Sequence, residues 1–182
     1  MINKFRFLLI LSILLLNSCQ TESTQTPESQ TETSNAFELF LVSDPHLSSA
    51  DIQNHKLDNL PLAEEPLITI EDMTSYHWDI HTFELTDEAY KEILSLFSET
   101  LSVSGVPFVV VSNGVKIYAG AFWSMLSSIS YDGVVILQPI DPAERTLSIN
   151  LGYPGPDFFT GEDPRDNPQL RQALKDTGLI EE

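Results

Sequence analysis

The sequence predicts an α+β domain: an antiparallel or mixed sheet of about six to seven strands, with one long central helix and a short C-terminal helix. Three observations carry that expectation. Asn113-Gly114 sits between the β-branched runs 107–111 and 115–119, and Asn-Gly in that setting signals a hairpin whose turn needs positive φ at both central residues. Ala89, Ile93, Phe97 and Leu101 recur at spacings of four, the period of one helix face. Short alternating or apolar runs bounded by Pro, Asn, Asp and Gly occur elsewhere, as expected of strands.

In chain order, 37–42 reads as a strand ended by Ser43-Asp44-Pro45. Residues 47–66 have no clear period, and Leu60-Pro61 and Glu65-Pro66 favour an extended path. Short strands are expected at 67–70 and, by alternation, at 76–85. Thr86 then caps the helix, Asp87 and Glu88 complement its dipole, and Ser104-Gly105 stops it. Strands at 107–111 and 115–119 form the hairpin, with 120–123 continuing the second strand or leaving the sheet. Residues 124–132 are ambiguous. Strands follow at 134–137 and 146–151, with a turn at Asp141-Pro142 between them. Residues 152–156 break regular structure. The acidic loop 157–166 leads to a helix from Pro168 to about Asp176, stopped by Gly178.

The 182 residues suit one domain plus targeting material. Acids outnumber bases 27 to 9, for a net charge of −18. Lys4 and Arg6 precede Cys19 and every acid follows it, so the chain from Cys19 onward has seven bases against 27 acids, a net −20. That charge excludes nucleic acid as a partner by Coulomb repulsion. Cys19 is the single cysteine, so the domain relies on an apolar core rather than disulfides.

The N-terminus has its own logic. Lys4 and Arg6 precede a ten-residue run, 7–16, that is almost wholly apolar, followed by Leu16-Asn17-Ser18-Cys19. A membrane-spanning helix needs about 20 apolar residues, so the run fits a signal peptide better. Leu16 to Cys19 resembles the lipobox of bacterial lipoproteins, although Asn17 is unusual at its position. The resemblance implies that 1–18 are a removed signal peptide and that Cys19 carries the lipid, palmitate included. It also implies anchoring to the bacterial cell membrane or outer membrane, facing outside the cytoplasm. Residues 20–35 are rich in Thr, Ser, Gln and Glu with no large apolar side chain, so 19–36 reads as lipidated Cys and disordered tether. Sixteen such residues span roughly 20–24 Å. Residues 37–182 form the single globular domain.

Three clusters could carry chemistry. His77, Asp79 and His81 alternate with Trp78 and Ile80; on a strand they share one face, and two His plus a carboxylate form a ligand set for a divalent metal. Three such positions cover about 13 Å, too far for one ion to meet all three on a straight strand. Asp44-Pro45-His46 after an apolar strand resembles the first motif of calcineurin-like metallophosphoesterases, but that family's later motifs are absent. Asp157, Glu162, Asp163 and Asp166 offer oxygens of the kind calcium takes, without EF-hand spacing. Ser124, Ser127 and Ser128 lack the Gly-x-Ser-x-Gly turn of a hydrolase.

The segment 86–123, with its core GVPFVVVSNGVKIYAGAFW, is similar to uncharacterised extracytoplasmic bacterial proteins, which brings no activity with it. The sequence therefore points to a membrane-anchored, non-catalytic binding or accessory module. Its partners are the membrane, through the Cys19 lipid, and an envelope protein or glycan, with no cofactor. The alternative is a metal-dependent hydrolase using His77, Asp79 and His81.

Overall fold

The computed structural model describes residues 35–99, 103–141 and 143–181. Cys19, the apolar run and residues 20–34 lie outside them; Asn35 and Ala36, expected to belong to a disordered tether, are instead part of the fold, with Ala36 1% exposed and the Asn35 carbonyl accepting from the Asn113 amide. The strands are β1 (Glu38–Leu41), β2 (Ile68–Thr69), β3 (Met73–His77), β4 (Thr82–Leu85), β5 (Val106–Ser112), β6 (Val115–Trp123), β7 (Tyr131–Leu137), β8 (Thr146–Tyr153) and β9 (Ile180–Glu181). The helices are α1 (Ser49–Ile52), α2 (Asp87–Glu99) and α3 (Pro168–Thr177). The nine strands among the described residues join one curled mixed sheet in the order β2-β1-β5-β6-β7-β8-β4-β3-β9.

This overturns the expected plan of six to seven strands around one long central helix. The protein is a strand-dominated curled sheet on which a 13-residue α2 and a 10-residue α3 pack. Two features raise the strand number. The stretch 76–85 is two strands rather than one, because Trp78–Ile80 forms a 3-10 turn and His81 takes left-handed backbone at φ 48°. Two-residue alternation does not distinguish a continuous strand from a hairpin with a short helical turn. The two-residue β9 pairs in parallel with β3, about 100 positions earlier in the chain, and such a pairing has no local signature.

Other elements form for the reasons legible in the residues. Asn113 and Gly114 take φ 49° and 75° between Ser112 and Val115, which pair across the turn. Thr86 Oγ1 accepts from the Ala89 amide at 3.3 Å, the expected cap of α2. Asn167 caps α3 by accepting from the Gln169 and Leu170 amides, and Gly178 ends it at φ 77°.

Strand alternation divides the interior into two faces. Phe108, Val110, Tyr118, Phe122, Val134, Ile136, Leu147 and Ile149 point to the main core, where Ala89, Tyr90, Ile93 and Phe97 of α2 and Leu170 and Leu174 of α3 meet them. Gly120 is required there, since a Cβ would lie 2.5 Å from the Phe108 ring and 2.7 Å from the Val134 carbonyl oxygen. On the opposite face Val109 and Val111 pack with Ile52 and Leu60. Beside them Ala121, Trp123, Tyr131 and Val135 form a third cluster, with Tyr153 against it.

Candidate functional site

The polar cluster of greatest interest forms where the β3–β4 turn meets the loop after β8. The 3-10 turn Trp78–Ile80 buries Trp78 and delivers His81, which is 5% exposed. From the other side, Gly152 at φ 64° folds the chain back so tightly that a Cβ would sit 2.6 Å from the Gly155 carbonyl oxygen. The chain then reaches a second 3-10 turn, Pro164–Asp166, with Asp163 as its cap. Proline at the first position pre-sets φ for that turn.

Arg165 organises the cluster. Its Nε donates to both oxygens of Asp163 at 2.9 and 3.2 Å, and a terminal nitrogen donates to Asp163 Oδ2 at 2.5 Å. The other terminal nitrogen donates to the Ile149 carbonyl at 2.6 Å, tying the loop to β8. These hydrogen bonds hold the Asp163 carboxyl below its ordinary value.

His81 Nε2 lies 3.6 Å from Asp166 Oδ1, beyond hydrogen-bond distance. Burial lowers the His81 pKa, and the Arg165 cation adds to that effect, against the opposing pull of Asp163, Asp166 and Asp79. The imidazole is therefore biased to the neutral form that ligates metals. Its Nδ1 is buried without a hydrogen-bond partner, as are the Tyr76 and Tyr118 hydroxyls. Burial pushes both phenols up, and both lie close enough to feel the charges of Arg165 and Asp163.

Ligand atoms of His81, Asp163 and Asp166 fall within 4.8 Å of one another. A tetrahedral zinc with ligands at about 2.1 Å separates them by about 3.4 Å, close to the His81–Asp166 distance. Arg165 works against such an ion, because it already neutralises Asp163 and places a second cation alongside. Asp166 is thus the carboxylate with charge to spare. The arrangement can staple the loop to the sheet or hold one divalent cation through His81 and Asp166 with a share of Asp163.

Among the described residues this is the one group of three or more His, Asp and Glu with such geometry. It takes His81 from one stretch singled out in the sequence and both Asp163 and Asp166 from another, and leaves the rest behind. His77 ends β3, Asp79 is exposed in the turn, and neither joins the group. The expectation that His77, Asp79 and His81 share one strand face is corrected: the strand ends at His77, and of the two apolar residues that alternate with them Trp78 is buried while Ile80 is 60% exposed. Of the acidic loop, Asp163 and Asp166 converge on His81, whereas Asp157 and Glu162 are exposed.

Asp44 and His46 lie elsewhere, in the turn after β1, where Asp44 Oδ1 accepts from the His46 amide at 2.9 Å. They border a groove of about 430 Å³ with Ser104 and Gly105. Ser124 and Ser127 are each 8% exposed and serve the loop after β6. The partners of His81 stand some 82 to 85 positions away in sequence. A local motif search misses them, although Asp163-Pro164 does mark a rigid turn.

Among the described residues no helix is long and apolar enough to cross a membrane. No family model, no curated protein and no solved structure matches the chain.

Proposed function

We propose that the chain is a lipid-anchored extracytoplasmic module that binds an envelope partner rather than catalysing a reaction. The observation that carries this reading is the run Leu16-Asn17-Ser18-Cys19 behind a basic and apolar N-terminus. The composition of 20–35 supports it as a tether, and so does Phe37, which is fully buried in the main core immediately beyond. Two or three acyl chains at Cys19 make anchoring stable where a single chain is marginal. Cys19→Ser expressed in a bacterial host is expected to remain unprocessed and to leave the detergent-soluble lipoprotein fraction. An unchanged mature mass when lipoprotein signal cleavage is blocked overturns the reading. Cross-linking in intact envelopes, followed by capture of the chain, then identifies the protein or glycan it contacts.

A second reading rests on His81, Asp163 and Asp166: the domain holds a divalent cation in a structural or binding role. The support is a neutral-biased, buried imidazole whose Nε2 faces Asp166 at 3.6 Å. Metal content of the gently purified full chain tests it. A stoichiometric metal lost in both His81→Phe and Asp166→Asn supports it; a metal-free chain that also shows no thermal shift with added zinc removes it.

A further inference from the structure

The connection from β6 to β7 is built inside out. These strands are parallel neighbours joined by seven residues, 124–130, where parallel pairs ordinarily need a dozen or more. Within the connection Ser124 and Ser127 are buried, while Met125, Leu126 and Ile129 are 45%, 88% and 48% exposed. Val103 stands beside them at 56%, its carbonyl accepting from Ser127 Oγ at 2.6 Å. Three of the eight exposed large apolar side chains among the described residues thus sit on one loop, with a fourth, Val103, beside it.

Side-chain hydrogen bonds also hold the loop's backbone. Ser124 Oγ accepts from the Leu126 amide, Ser127 Oγ accepts from the Ile129 amide, and the Tyr153 hydroxyl shares its one proton between the Met125 and Ser127 carbonyls at 3.0 and 3.1 Å. Hydroxyls turned inward to lock a backbone whose apolar side chains face water give up burial that the ordinary pattern would gain. Such an arrangement makes sense when another apolar medium covers the loop.

Charge and reach identify that medium. Residues 100–131 contain no Asp or Glu in a chain that carries 27, and Lys116 is their single charge. Anionic headgroups repel an acidic protein least where its own chain carries no acid, and the loop lies within such a segment, bounded by the exposed Asp132. The chain enters the fold at Asn35, whose carbonyl accepts from the Asn113 amide at the β5–β6 turn. The nine residues of β6 separate that turn from the loop, about 27 Å at a strand's rise. Sixteen tether residues span roughly 20–24 Å on average and about 53 Å when extended, so the loop can touch the bilayer that holds Cys19.

We infer that Met125, Leu126 and Ile129, with Val103, insert into the lipid interface and fix the orientation of the domain on the membrane. The inference rests on the anchor reading, because tethering supplies the effective concentration at which a shallow insertion is populated.

The test uses the full lipidated chain in phosphatidylcholine vesicles, with Leu126→Cys carrying an environment-sensitive fluorophore and Ser95→Cys on exposed α2 as the reference. Flotation with the vesicles reports the anchor by itself. A lipid-borne quencher is expected to reduce emission at position 126 at least threefold more than at 95. In a second chain labelled at Ile129→Cys, Leu126→Asp is expected to abolish quenching while the melting temperature stays unchanged. Flotation with equal quenching at 126 and 95 overturns the insertion and leaves the anchor standing. Failure to float removes the anchor reading, and the label is then read with added vesicles: quenching at 126 still supports insertion and its absence overturns it. Cross-linking from position 126 to a protein without lipid quenching also overturns it.

Discussion

Two arginines fasten this sheet to its loops through carboxylates, and their settings differ. Arg165 and Asp163 are 14% and 26% exposed, and Arg165 also donates to a strand carbonyl. Arg145 bonds Glu84 at 2.8 Å and Asp87 at 3.0 Å, joining β4, the start of α2 and the segment before β8, yet these side chains are 40%, 39% and 65% exposed. The distances are comparable. What differs is the water around them, which screens the outer pair and leaves the inner one with charge-assisted hydrogen bonds that nothing replaces when a partner is removed. Interactions alike in length are therefore unequal in value.

The largest effect that breaks this contrast is Arg165→Ala. It strips Asp163 of its guanidinium hydrogen bonds, leaving the cap to the backbone amide of residue 165, and removes the Arg165 donor from the Ile149 carbonyl; chemical denaturation is expected to show a loss of about 2–3 kcal/mol. An equal loss in Arg145→Ala would show that burial does not separate the two.

Acid sharpens the same contrast. The Asp163 carboxyl is held below 3.8, so its stabilisation is fully present above that value and is lost as pH falls through the lower folded value. His81, lowered from 6.5 by burial first and Arg165 second, acts in a higher window. Above 6.5 it is neutral in both states. Below 6.5 the unfolded chain takes up a proton that the folded chain resists, so stability declines with falling pH toward the folded value. Melting temperatures measured in chelator between pH 7.5 and 5.5 are expected to fall less steeply in His81→Gln than in the parent chain.

Arg145→Ala is expected to cost less than about 1 kcal/mol, and its effect should vanish in molar salt. The smallest change belongs to Leu126→Asp, because Leu126 is 88% exposed: folding stability should stay within about 0.5 kcal/mol, even as lipid contact is lost.

Some of these features are legible in the residues and others are not. Asn113-Gly114 and its flanking β-branched runs, the four-residue spacing of Ala89, Ile93 and Phe97, and the Asn167, Pro168 and Gly178 signals of α3 all sit within a few positions of the structure they produce. Local conformational preference and one-sided burial suffice there, and the sequence determined those elements by itself. The strand count was beyond it. A strand and a strand–turn–strand carry the same alternation across 76–85, and β9 is held by its pairing with β3 rather than by its own two residues.

The candidate site divides in the same way. The sequence identified His81, Asp163 and Asp166 as residues with chemical capacity, but assigned them to two separate sites and grouped His81 with His77 and Asp79. Only the tertiary structure could bring His81 to Asp163 and Asp166, because their approach depends on β4 pairing with β8 and on the loop after β8 turning back at Gly152. Likewise, composition alone could not reveal that Ser124 and Ser127 turn inward while Leu126 turns out. Backbone preference acts over neighbouring residues, whereas burial and electrostatic environment are set by whatever the folded chain places alongside.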